Sequence, residues 1–234
     1  MVDAANYVML EIGQPLHTYD YDKIDGHSLT CRHAEEGEKI VTLDENERIL
    51  SSSDLVIADG SNTAACIAGV MGGLNSEVTE STKNVLLEAA VFDSASIRRT
   101  SRRLGLRSEA SGRYEKGINP ARTEMAINRI CQLLEEQGAC QVASGMVDEY
   151  PVKAEPQIIV TSVRKINEYI GIEIPAERII NILTSLHFDV KQSEGTLAVT
   201  VPDFRLDLEG MPALAEEVAR VYGYANSPNK TPWS

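Results

Sequence analysis

The chain has 234 residues, 43% of them hydrophobic, enough apolar material for one large core or two ordinary ones and too much for a disordered chain. No run approaches the roughly 18 consecutive apolar residues of a membrane span, and the N-terminus lacks the basic-then-apolar order of a signal peptide, so a cytoplasmic protein with no membrane partner is expected. A formal net charge of −13 excludes a broad, non-specific grip on a phosphate backbone, DNA included, and confines any RNA contact to a local patch.

Residues 1 to 152 mix strands and helices with no repeat and no regular βαβ alternation. This pattern predicts an α+β domain on mostly antiparallel sheet. Thr30 to Leu43 and Ile49 to Ala58 read as strands joined by charged turns, and the apolar run Asn84 to Phe92 as a buried strand. Asp93 then caps a helix rich in arginine. Asn119 and Pro120 open a further helix with Ile127, Ile130, Leu133 and Leu134 in one stripe, closed by Gly138. The stretch Tyr150-Pro-Val-Lys-Ala-Glu-Pro156 interrupts regular structure because proline removes a donor and holds the backbone extended, so a domain boundary is expected there. Residues 153 to 234 then order as a short strand from Gln157, a helix from Ser162, a second opened by Pro175, and strands Phe188 to Gln192 and Thr196 to Val201. A turn at Ser193-Glu194-Gly195 joins those strands, and a last helix runs from Pro212 to Tyr222. That order predicts a small winged-helix-like domain with a C-terminal tail.

Cys31, Cys66, Cys131 and Cys140 lie 35, 65 and 9 residues apart, which matches no zinc pattern and reads as reduced core thiols. Ala68-Gly-Val-Met-Gly-Gly73 lets backbone approach a ligand closely, although tight turns use glycines in the same way. His17, after Gly13-Gln-Pro-Leu, can donate or accept a proton near neutral pH; a lone histidine is also often structural. Glu88 stands in Val85-Leu-Leu-Glu-Ala-Ala-Val91, where an ionised carboxylate is costly unless paired; an exposed edge position is the plain competitor. Arg98, Arg99, Arg102, Arg103, Arg107, Arg113 and Lys116 cluster within 19 residues holding only Glu109 and Glu115 as acids. Arginine's planar fork suits phosphate and base contacts, against the alternative of a solvated helix face. Asp207, Glu216 and Glu217 offer oxygen ligands for a hard cation, or simply favour a helix dipole.

Four longer motifs make the chain resemble the β subunit of bacterial-type phenylalanyl-tRNA synthetase over nearly its whole length. They are Asn6-Tyr-Val-Met-Leu-Glu-Ile-Gly-Gln-Pro-Leu-His17, Ile67-Ala-Gly-Val-Met-Gly-Gly-Leu-Asn-Ser-Glu77, Ser96-Ile-Arg-Arg-Thr-Ser-Arg-Arg-Leu-Gly-Leu-Arg107, and Pro202-Asp-Phe-Arg-Leu-Asp207 with Glu216-Glu-Val-Ala-Arg-Val-Tyr-Gly-Tyr224. The resemblance implies a first domain that hydrolyses tyrosine wrongly esterified to phenylalanine tRNA. In it Glu88 would recognise the tyrosine hydroxyl, His17, Asn6, Gly69 and Gly72 would form the catalytic surround, and Gly73, Ser108 and Ala110 would line the pocket. Ala5 and Ser108 stand where threonine is common in the family. Phenylalanine in such a pocket would leave Glu88 unpaired, so correct product would escape cleavage. The glycine-loop amides would stabilise the oxyanion, with His17 or the substrate's ribose hydroxyl orienting water. Arg98, Arg99, Arg102, Arg103 and Arg107 would hold the tRNA.

The resemblance also implies a separate catalytic α subunit as partner. Magnesium would be held in the full enzyme by acids at Asp207, Glu216 and Glu217, with a fourth position that here is Ala213, and the hydrolysis would use no cofactor. A non-catalytic module for tRNA positioning and subunit contact is the competing expectation.

Overall fold

Helix α1 (Val2–Ile12) ends at Gly13, whose φ of 84° is left-handed, and the buried Gln14-Pro15 pair leads into β1 (His17–Asp20). The structure is a computed structural model that describes residues 1–223. Residues 224–234, which hold Tyr224 of the last motif and the expected tail, lie outside the described residues.

After β1 come β2 (Thr30–His33), β3 (Lys39–Val41), β4 (Glu47–Ile49), β5 (Leu55–Ala58), β6 (Ala64–Ile67), β7 (Met71–Gly72) and β8 (Val85–Glu88). Helices α2 (Ser94–Leu104), α3 (Glu109–Tyr114) and α4 (Ala121–Glu136) follow. All pairings are antiparallel: a four-stranded sheet in the order β2-β5-β6-β7, and the ribbons β3-β4 and β1-β8. Each of the two long strands expected between residues 30 and 58 is divided in two. The chain turns away after His33, where the Ala34 amide donates to the Asp54 carbonyl and Gly37 takes φ 80°.

The run from Asn84 to Phe92 is likewise shorter as a strand than its apolar character predicts, because β8 stops at Glu88. With His17 opposite Glu88, continuing the ladder would set Pro15 against Ala90, and proline has no N–H to give. The side-chain amide of Gln14 donates to the Ala90 carbonyl instead, at 2.9 Å.

Alternation along the β1–β8 ribbon gives it two apolar faces. Tyr19 and Leu86 pack with Ile57, Ala65 and Cys66 of the sheet. Leu16 and Leu87 pack on the cluster of Ala5, Val8, Ala126, Ile130 and Leu134 between α1 and α4. The α4 stripe is therefore Ala126, Ile130 and Leu134, with Ile127 and Leu133 only partly buried. Ile130 and Leu134 of the expected stripe are thus buried, with Ala126 beside them, against Ala5 and Val8 of α1 and Leu87 of the ribbon. The Asp93 cap forms as expected, accepting from the Ser96 amide at 2.8 Å.

The chain divides into two compact units, Met1–Gly145 and Met146–Ser234. In the second, β9 (Ile158–Ser162), α5 (Val163–Ile170), α6 (Ala176–Ser185), β10 (Asp189–Ser193), β11 (Thr196–Thr200) and α7 (Met211–Tyr222) succeed one another, and the sheet order is β10-β11-β9. Glu194 and Gly195 both take positive φ, 46° and 80°, the geometry of a tight hairpin whose twist matches its strands. Ile166, Ile179, Leu183, Leu197 and Leu214 fill the core of this unit. No helix among the described residues is long and apolar enough to cross a membrane.

Candidate active site

Register places His17 directly opposite Glu88 on the ribbon, so both side chains project to the face that meets the four-stranded sheet. Tyr19, two residues on, shares that face and is 0% exposed. Its Oη donates a short hydrogen bond to Glu88 Oε2 and lies 3.3 Å from Cys66 Sγ of β6. The His17 ring meets the Tyr19 ring edge-on, with centroids 4.5 Å apart and planes at 88°. Gly72, the register partner of Cys66, closes the group: a Cβ there would stand 2.6 Å from His17 Cε1. Only a glycine leaves the imidazole its place.

Burial governs the charges. It pushes the Glu88 carboxyl above the usual range, with the Tyr19 hydrogen bond pulling the other way. It raises the Tyr19 phenol and the Cys66 thiol further, helped by Glu88. Burial lowers His17 to about 4, so the imidazole is neutral at physiological pH. Glu88 and His17 nevertheless keep partial solvent access, and no described side chain or backbone group hydrogen-bonds the His17 ring. The site can thus accept a hydroxyl on a carboxyl and offer a neutral imidazole to a water or a substrate.

The glycine loop serves packing more than anion binding. Gly69 takes φ +66°, and a Cβ there would lie 2.9 Å from Phe92, 3.0 Å from Tyr114 and 3.1 Å from Ile97. At Gly73 a Cβ would lie 2.5 Å from the Ala65 carbonyl oxygen, which accepts the Gly73 amide at 2.8 Å. The Val70 amide donates to Ile67. The expected oxyanion role is therefore closed to the Gly73 and Val70 amides, because the β6–β7 turn and its flanking backbone already use them.

Two further expected site residues are used by the fold. The Ser108 hydroxyl donates to the Val70 carbonyl at 3.1 Å and accepts from the Ser111 amide in a capping box at the start of α3, so it ties helix to loop instead of facing a ligand. Ala110 packs against the core beside Phe92 and Leu104. Asn6 is exposed on α1, and no described hydrogen bond joins it to His17 or Glu88. Neighbouring Ala5 is buried in the α1–α4 cluster, where threonine would bring a hydroxyl into an apolar contact. Tyr19 and Cys66 are the residues that sequence reasoning missed. The spacing of Tyr19 from His17 on a strand was the available signal.

The arginines divide by partner. Arg103 pairs with Asp54, 1% exposed, which also accepts from Thr100 at 2.7 Å and from the Ser51 amide at 2.8 Å. Arg98 lies against Glu115, and Arg99 donates to Ser96. Arg102 and Arg107 are exposed, with no described hydrogen-bond or ion-pair partner. Of the five expected RNA contacts, Arg103 is committed to the fold, because a buried carboxylate needs its cation.

The acids expected to hold magnesium do not fit it as arranged. Both oxygens of Asp207 accept from Arg205 at 2.8 Å, and Glu217 accepts from Arg205 and Arg220. Glu216 points to solvent on the adjoining face of α7, and position 213 is alanine. Among the described residues no group of three or more His, Cys, Asp or Glu is gathered for a metal. A guanidinium supplies the positive charge that a divalent ion would bring.

Residues 1–139 match the family model described as the B3/4 domain, and residues 159–224 the one described as the tRNA synthetase B5 domain. The chain thus carries a B3/4 domain followed by a B5 domain. The chain is 47% identical over 232 residues to the phenylalanine–tRNA ligase β subunit of Moorella thermoacetica, 44% over 231 to that of Clostridium acetobutylicum and 46% over 232 to that of Bacillus licheniformis. Each alignment covers 99% of this chain and 29% of the relative's length. The chain therefore belongs to the B3/4 domain family, and it spans less than a third of the length of the curated ligase β subunits that it matches.

Proposed function

We propose that the β1–β8 site hydrolyses tyrosine wrongly esterified to phenylalanine tRNA. The segment would work in the cytoplasm within a ligase whose synthetic site lies on a separate α chain. A synthetic pocket shaped for an apolar side chain discriminates poorly against a near-isostere with one more hydroxyl, so a second site that reads the hydroxyl is needed. One observation carries this reading: a part-buried carboxyl, Glu88, accepts a hydrogen bond from a phenol beside a neutral imidazole that no described group hydrogen-bonds. The same carboxyl chemistry suits the phenol of a misplaced tyrosine. The ester is already activated, so holding a water against the carbonyl is enough, by His17 or by the substrate's ribose hydroxyl. No step in this reading requires a metal.

The expected selectivity needs one correction. Phenylalanine in the site would not leave Glu88 wholly unpaired, because Tyr19 already satisfies Oε2; the discrimination rests on the other oxygen. The alternative, a non-catalytic module that positions tRNA, draws on the exposed Arg102 and Arg107 and on the committed Ser108 hydroxyl. Deacylation of tyrosyl and phenylalanyl esters by the assembled enzyme separates the two. Glu88→Ala should lower the tyrosyl-to-phenylalanyl ratio of kcat/KM by about 100-fold, and an unchanged ratio would favour the positioning module.

A further inference from the structure

The strongest cluster that the proposed reaction leaves unexplained is the line Cys66 Sγ, Tyr19 Oη, Glu88 Oε2. Tyr19 has a single proton and gives it to Glu88, so at its other contact it must accept, and the Cys66 thiol is the donor there. The hydrogen bonds therefore run one way, from thiol to phenol to carboxyl. Packing keeps this order: Tyr19 is fully buried, its ring lies against His17, and Cys66 sits inside β6.

The groups that face Glu88 are His17 and Tyr19 of β1, Cys66 of β6, Cys31 of β2 and Tyr114 of α3. None is a cation at neutral pH. A buried carboxylate without a cation is held by hydrogen-bond donors alone, and Tyr19 is the donor the structure supplies. Tyr19 reaches Oε2, and no described hydrogen bond or ion pair reaches Oε1, which leaves that oxygen as the acceptor for a ligand.

We infer that Tyr19 is a positioning residue for Glu88: its hydroxyl, directed by Cys66, occupies one carboxyl oxygen so that the other reads an incoming phenol. The inference rests on the hydrolytic reading above. A tyrosyl ester then completes a two-donor carboxylate, whereas a phenylalanyl ester leaves one oxygen unsatisfied, and the penalty falls on that oxygen. The specificity of the site is thus set by two phenols, one resident and one delivered.

The test compares wild type, Tyr19→Phe and Glu88→Gln in the assembled enzyme, following tyrosyl and phenylalanyl deacylation across pH. Tyr19→Phe keeps the ring and loses only the hydroxyl. It should lower kcat/KM for the tyrosyl ester by about tenfold, mostly through KM, with the phenylalanyl ester unaffected. Losing a donor disfavours the ionised carboxyl, so the limb of the profile that follows Glu88 should move to higher pH. Fluorotyrosine at position 19, a stronger donor, should move it to lower pH. Carbon-13 NMR titration of the Glu88 carboxyl reads the same shifts without turnover. Unchanged tyrosyl kinetics and an unmoved Glu88 titration in Tyr19→Phe, with preference lost in Glu88→Gln, would overturn the role of Tyr19 alone. A wild-type enzyme without preference for the tyrosyl ester would overturn the hydrolytic reading, and the specificity role with it.

Discussion

Glu88 and Asp207 were both expected to act as ligand-binding carboxylates, and the fold treats them in opposite ways. Glu88 lies in an apolar setting where burial lifts its pKa and a single neutral phenol opposes that lift. Asp207 accepts both of its hydrogen bonds from Arg205, which holds its carboxyl below the usual range. Burial works to raise Glu217, but Arg205 and Arg220 outweigh it. A carboxylate met by a neutral donor keeps an oxygen for a ligand, whereas one met by a guanidinium fork is closed. The partner decides, more than the acid.

The contrast is broken most directly at Glu88. Glu88→Gln should cost about 100-fold in preference for the tyrosyl ester while leaving the fold as stable or more stable at neutral pH. The sign follows from the raised pKa. The folded state favours the protonated acid, so stability from this group is full below the unfolded value of 4.5 and declines as pH rises above it. Glutamine removes that decline, and thermal unfolding at neutral pH measures it.

The closed acids should behave the other way. Arg205→Ala leaves Asp207 and Glu217 without their shared cation, and should lower the unfolding free energy by about 2 kcal/mol in urea titration. Because Arg205 already fills the role, added magnesium should leave the wild-type transition where it is. Arg103→Ala should cost a similar amount, about 2 kcal/mol, by exposing the need of buried Asp54.

His17 adds a test at acid pH. Burial lowers it to about 4, so its neutral form stabilises the fold fully above the ordinary histidine value of 6.5 and that stability is lost as pH falls from there towards about 4. His17→Gln should flatten this limb in pH-dependent unfolding. The smallest structural effect belongs to Arg102→Gln with Arg107→Gln, within about 0.5 kcal/mol for exposed residues. The double variant should nevertheless reduce the salt slope of tRNA binding by about 1 to 2. An unchanged slope would place the RNA contact elsewhere.

Much of this was legible in the residues. The Asp93 cap, the Gly138 stop, the Ser193–Gly195 turn and the antiparallel α+β class follow from local rules of capping and turn geometry, which neighbouring residues suffice to express. The oddity of Glu88 in an apolar run was legible for the same reason, since hydropathy is a property of the run itself. Strand lengths were not. Where β8 ends depends on Pro15, 75 positions before Ala90, having no N–H to offer across the ribbon.

Local residue patterns therefore give the inventory: which helices and turns form, which acid stands among apolar neighbours, and which family the motifs resemble. How those groups are partnered emerges from the folded chain. Tyr19 joins Glu88 and Cys66 across strands distant in the chain, Arg205 closes over Asp207 and Glu217, and Ser108 and Gly73 are drawn into the scaffold. The physical reason is that a polar group's availability depends on whatever hydrogen-bonds it, and those partners are chosen by packing across the fold, where separation along the chain has no bearing.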